Sequence, residues 1–247
     1  MARVLLAGES WSTTSTHSKG FDSFITTTYA EGAGSFIAAL ELIGHEVTFM
    51  PSHVAADKFP SSSAELDLYD VVVLSDIGSN TLLLSASTFI KGQKQPNRLQ
   101  ILSDWIESGG NFLMVGGYLS FQGIEAKANY RNTLIANVLP ILMEQGDDRS
   151  ENPEGVFPKV VSDHNIVKNI EGNWPAILGY QKLIAKPGTQ VILEVDGNPL
   201  LVIGSFGKGR VAAFASDLGP HWIPNEFLEW HGFQTLWQQT IKWLSEK

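Results

Sequence analysis

Three short runs carry no polar residue: Val4–Ala7, Val71–Leu74 and Phe112–Val115. Each is framed by a charged or polar residue on one side and by Gly or Ser on the other. Strands with one wet face alternate polar and apolar residues, so unbroken aliphatic runs of this length predict strands buried on both faces. Such strands belong to parallel sheets covered by helices on each side. The intervening sequence supplies the helices. Phe36, Ile37, Leu40 and Ile43 fall on one stripe of a helix predicted over 32–43 and stopped by Gly44, and Leu99, Leu102 and Ile106 mark another over 96–108 ending at Gly109-Gly110. A further strand is expected over Glu46–Met50.

The second half changes character. Gln190–Val195 and Leu200–Gly204 flank the turn-rich Asp196-Gly197-Asn198-Pro199, which predicts an antiparallel hairpin. Arg210–Ala215 returns as a strand, and Phe233, Leu236, Trp237, Ile241 and Leu244 define a closing helix over 226–244. The segment 144–155 reads as a solvated acidic loop, and Ser12–Ser18 as a flexible lid or a long loop. The expected architecture is an α/β three-layer sandwich in one domain over residues 1–247, mostly parallel, with a C-terminal antiparallel extension.

Composition removes several functions. The chain has no cysteine, so thiolate catalysis, disulfides and cysteine-ligated metal are excluded. A net charge of −9 without clustered Lys and Arg argues against nucleic acid as a partner, and no apolar stretch approaches the length of a membrane span or a signal peptide core. A cytoplasmic, membrane-free protein is expected. No His spacing suggests a metal site, and no cofactor motif is present.

If the apolar strands are parallel, the polar residues at their ends open on one edge of the sheet, where such folds bind ligands. Those residues are Glu9, Ser10 and Trp11 after the first strand and Asp76 after the third. After the fourth come Gly117, Tyr118, Ser120 and Gln122, and after the last come Asp217, His221 and Trp222. Asp217 and His221 share one loop, the pairing an oriented general base needs. Gly116-Gly117-Tyr118 is a candidate anion-binding nest at a helix start. Ser120 lacks the Gly-x-Ser-x-Gly setting of a nucleophile elbow, and Tyr118 as a nucleophile would need a strongly lowered phenol pKa.

The order of elements, the Gly109–Gly123 elbow, the turn Gly207-Lys208-Gly209 into a strand, and Ser216-Asp217 followed by His221-Trp222 together resemble the glutamine amidotransferase-like proteins of the class I superfamily. The likeness extends over nearly the whole chain and points to a bacterial branch of cytoplasmic proteins. It implies a flavodoxin-like fold with the site at the strand carboxyl ends. Active members hold a Cys in a Gly-x-Cys-x-Gly elbow and a His-x-Glu pair after a late strand. Here those places hold Gly117-Tyr118-Leu119 and Ser216-Asp217-Leu218, so the thioester mechanism has neither half of its triad. Cysteine-free relatives occur as carbohydrate-associated and oligomerising modules. Three expectations follow: a small-molecule binder for a polar or sugar-like ligand with enzymatic use of Asp217, His221 and Glu9; a structural domain forming a homo-oligomer without chemistry; and, last, a hydrolase using Ser120 or Tyr118.

Overall fold

The computed structural model describes residues 1–246 and contains fourteen strands. In chain order they are β1 (Arg3–Gly8), β2 (Ser10–Lys19), β3 (Asp22–Glu31), β4 (Glu46–Met50), β5 (Val71–Ser75), β6 (Asn111–Val115) and β7 (Ile141–Met143). They continue with β8 (Arg149–Val156), β9 (Lys159–Val160), β10 (Ile177–Gln181), β11 (Leu183–Ala185), β12 (Gln190–Val195), β13 (Asn198–Phe206) and β14 (Gly209–Phe214). Eight of them build the central sheet in the order β4-β1-β5-β6-β14-β13-β12-β9. The first five are parallel, and β13, β12 and β9 continue the sheet antiparallel.

The parallel part places its second strand outside its first, then the third, fourth and fifth: the flavodoxin-like order, with its switch point between β1 and β5. Both strands there are apolar because both faces are covered: Val4–Ala7 and Val71–Leu74 are fully buried. Helices Gly34–Glu41 and His231–Ser245 pack together on one face, where Trp237 stands edge-on to Phe36 at 5.2 Å and to Phe214 at 5.0 Å. The other face carries Ser52–Lys58, Ser79–Leu83 and Arg98–Ser108. Asn97 caps the last of these, its Oδ1 accepting from the Leu99 and Gln100 amides at 3.1 Å each, and Gly109 ends it.

Three expectations are corrected. The closing helix is broken at Trp230, whose extended backbone separates Asn225–Glu229 from His231–Ser245. The indole at that break packs on Trp174 at 4.9 Å and Phe227 at 5.6 Å, contacts that a continuous helix would not point inward. The segment read as a lid or loop at 12–18 is strand β2, paired with β3 in an unbroken antiparallel ladder from Ser10 opposite Glu31 to Lys19 opposite Asp22. Its β-branched threonines favour strand, while polar residues on both faces hide the alternation by which a strand is recognised. The supposed solvated loop at 144–155 contains β8, paired with β10, and a buried Asp148 that accepts from the Gln122 and Gly123 amides at 3.0 and 2.9 Å.

Candidate functional site

Three carboxyl groups converge where β1, β5 and β14 end. Glu9 follows β1, Asp76 follows β5, and Asp217 lies beyond Ser216 at the end of β14; all three are buried. The chain adopts unusual backbone to put them there. Glu9 and Asp76 have φ of 45° and 44°, a left-handed conformation that costs a non-glycine residue about 1–3 kcal/mol and tends to persist at functional sites. The Glu9 amide donates to Ser75 O at 2.7 Å and its carbonyl accepts from Gly32 N at 3.0 Å, which fixes the turn. Gly32 is required by proximity: a Cβ there would sit 2.5 Å from Glu9 Oε1.

The Ser75 hydroxyl donates to Glu9 Oε2 at 2.5 Å. No amide or hydroxyl reaches Glu9 Oε1 or Asp217 Oδ2. The Glu9 and Asp217 carboxyls are close enough to disfavour each other's ionisation in this buried setting. Burial, followed by the charges of Asp217 and Asp76, raises Glu9 well above the usual carboxylate range. Burial and then Asp76 do the same to Asp217. Asp76 is also raised by burial, offset in part by the Leu119 amide that donates to its Oδ1 at 2.6 Å. Like charges in a dry site oppose one another's ionisation, so the cluster holds its protons to higher pH than free carboxyls do.

An aromatic layer covers the cluster. His221 Nδ1 lies 3.5 Å from Asp217 Oδ2; the imidazole side chain is 37% exposed and the carboxylate beneath it fully buried. Its ring packs 4.8 Å from that of Trp11 and stacks on Tyr118 at 5.4 Å. The Arg149 guanidinium lies 4.8 Å over the Tyr118 ring and is held between Asp147 at 2.9 Å and Glu151 at 3.1 Å. The Arg149 hydrogen bonds hold the Asp147 carboxyl well below its usual range. Trp11, Tyr118, His221 and Arg149 thus form the outer layer over the three carboxyls.

The structure therefore brings Glu9, Asp76, Tyr118, Asp217, His221 and Trp11 together. The other sequence candidates lie around them with their polar groups engaged. Ser120 is buried, its Oγ accepting from Asp76 N at 3.0 Å and donating to Gly116 O at 3.2 Å. Ser10 Oγ accepts from Ser52 N, Gln122 Oε1 accepts from Arg131 N, and the buried Trp222 donates through Nε1 to Glu151 Oε2 at 2.9 Å. Trp222 thus supports Tyr118, 5.6 Å away, from below. No helix starts at Gly116-Gly117-Tyr118, and the amide that follows is taken by Asp76, so the expected nest is filled by the protein's own carboxylate. Arg149, Glu151 and Gln181, whose side-chain amide binds Gly117 O, escaped sequence analysis. The alternation Asp147-x-Arg149-x-Glu151, a charged face at strand spacing, was their one visible signal. Among the described residues no set of three His, Asp or Glu side chains is arranged to hold a metal ion.

A flavodoxin-like order with acid–base groups at the carboxyl edge, and a cysteine-free turn after the fourth parallel strand, defines an α/β protein built like an amidotransferase domain without its nucleophile. The chain belongs to the family described as "Putative glutamine amidotransferase", whose model matches residues 3–246. It is similar to two solved proteins of Salmonella typhimurium. Cytoplasmic protein STM1381 is 44% identical, with 99% of this chain and 100% of that one covered at a TM-score of 0.95. Cytoplasmic protein STM3548 is 44% identical, with 99% of each chain covered at a TM-score of 0.96. A ThuA-like protein from Parabacteroides merdae shares the fold at 13% identity, with 99% of this chain and 90% of that one covered at a TM-score of 0.59. No curated protein matches.

Proposed function

We propose that this class I amidotransferase-like protein binds a small polar or sugar-like molecule over Trp11, Tyr118 and His221, and that Glu9, Asp217 and His221 serve it as acid–base groups. The observation that carries this reading is the buried cluster of Glu9, Asp76 and Asp217 beneath a half-exposed His221 at the carboxyl edge of the sheet. Carboxyls whose environment raises them above the ordinary range are suited to acid–base work, and left-handed backbone such as that at Glu9 clusters at functional sites. The aromatic faces suit the C–H faces of a sugar, and Arg149 with His221 suits hydroxyl or carboxylate groups. Amidotransfer through a thioester is outside its chemistry, because there is no cysteine. A cytoplasmic location is proposed from the two Salmonella proteins so described.

Thermal-shift screening against sugars, amino acids and nucleotides tests the proposal. A ligand at 100 times its Kd stabilises by about 2.7 kcal/mol, and the shift should vanish in His221→Ala and shrink in Tyr118→Phe. A shift unchanged in both variants, or no shift with any class, overturns it. Ammonia release from glutamine should stay at the uncatalysed level.

A further inference from the structure

The β2–β3 ribbon has ten paired positions, the longest ladder among the described residues, and almost nothing behind it. Every residue from Ser12 to Glu31 is exposed. Contacts with the body occur at the base, where Ser10 bonds Ser52, Trp11 meets His221 and Tyr29 stands edge-on to His53 at 5.4 Å. Ten residues of strand reach about 34 Å. A two-stranded ribbon without a third strand or a helix behind it is marginal in water. Its own cross-strand contacts, such as the Thr14–Thr27 hydroxyls at 3.2 Å and His17 stacked on Phe24 at 4.6 Å, do not offset the conformational entropy of ordering some twenty residues.

Its surface is also unprotected. Exposed strand edges are normally blunted by lysine, proline or bulges, and 12–18 and 23–30 contain no Lys, Arg, Asp, Glu or Pro and pair without a bulge. Phe24 is 50% exposed and Ile25 67%, on opposite faces of the ribbon. We propose that this ribbon is an assembly arm, packed in solution against a second copy of this chain.

Charge confines such a contact to the arm. Each body contributes to a net −9, so copies repel body to body, but the arm is uncharged along its shaft and longer than the ~8 Å over which physiological salt screens charge. Two arms can meet while the bodies stay outside each other's field. A two-fold contact satisfies the same unpaired edges and apolar side chains on both copies at once. One ribbon face presents five pairs, ten side chains, so two copies can lie against each other along the whole arm of about 34 Å.

Sedimentation velocity of the full chain, of Phe24→Lys and Ile25→Lys, and of a variant with residues 13–28 replaced by Asn-Gly tests this independently of ligand binding. The wild type should sediment as a multiple of 27.0 kDa. The shortened variant should sediment as the monomer while keeping the circular dichroism and melting of its body, and at least one lysine variant should weaken assembly about tenfold or more. A monomeric wild type, or a shortened variant with the wild-type mass, overturns the proposal.

Discussion

At the scale of single residues, Glu9 is a buried acid whose proton the fold holds more tightly than water does. Its folded pKa lies above its unfolded one, so the native state binds the extra proton and stability falls as pH rises from about 4 upward. Glu9→Gln carries a permanent hydrogen in that place. Urea titrations should show the variant gaining on wild type between pH 5 and pH 8, by up to about 1.4 kcal/mol per pH unit; parallel curves would show that Glu9 is ionised. Gly117 is the opposite kind of residue, fixed by space. With φ of 123° and a Cβ position 2.8 Å from Asp76 Cβ, Gly117→Ala should lose about 2 kcal/mol or more in the same assay, whereas full stability would mean that the turn yields.

Among elements, the helix Arg98–Ser108 is tied to its neighbours by one side chain. The buried Arg98 guanidinium donates to the carbonyls of Leu82, Ala55, Ala56 and Thr81, which lie within the helices Ser79–Leu83 and Ser52–Lys58. Arg98→Ala leaves those carbonyls short and should cost about 3 kcal/mol or more, and Arg98→Lys, without the fork, should recover only part of it; a melting temperature unchanged by the alanine would refute the role. That helix, like β1, β5, β6 and β14, was legible in the sequence because burial on defined faces writes a period or an unbroken apolar run. The site was half legible. Glu9, Asp76, Asp217 and His221 follow recognisable strand ends, while Arg149 and Glu151 sit in a charged stretch whose composition looks like any solvated loop. The β2–β3 ribbon was illegible for a physical reason: neither face is apolar, so its strands have no pattern to betray them.

For the whole molecule, the raised acids act together. Glu9, Asp76 and Asp217 are joined by Asp148, which burial pushes up to about 6 against the opposing pull of two backbone amides. Each binds its proton more tightly in the folded state and so favours the fold as pH falls from 8 toward 6, against His45 and His164, whose pKa values burial lowers; with both histidines replaced by Gln the melting temperature should rise over that range, and a flat or opposite trend there would show that these carboxyls are ionised in the fold. The sheet's topology bears on how the chain is made. β6 lies between β5 and β14, and beside its register with β14 the Arg210 amide donates to Asn111 Oδ1 across 99 residues. A ribosome that has finished β6 has therefore left that strand's edge without its neighbour, and the helix that covers it, His231–Ser245, is still to be made. The nascent chain must stay unaggregated for several seconds with that edge open, at ordinary rates of about 5–20 residues per second. Holding by the chaperones that meet emerging chains is thus part of what this fold demands of its cell.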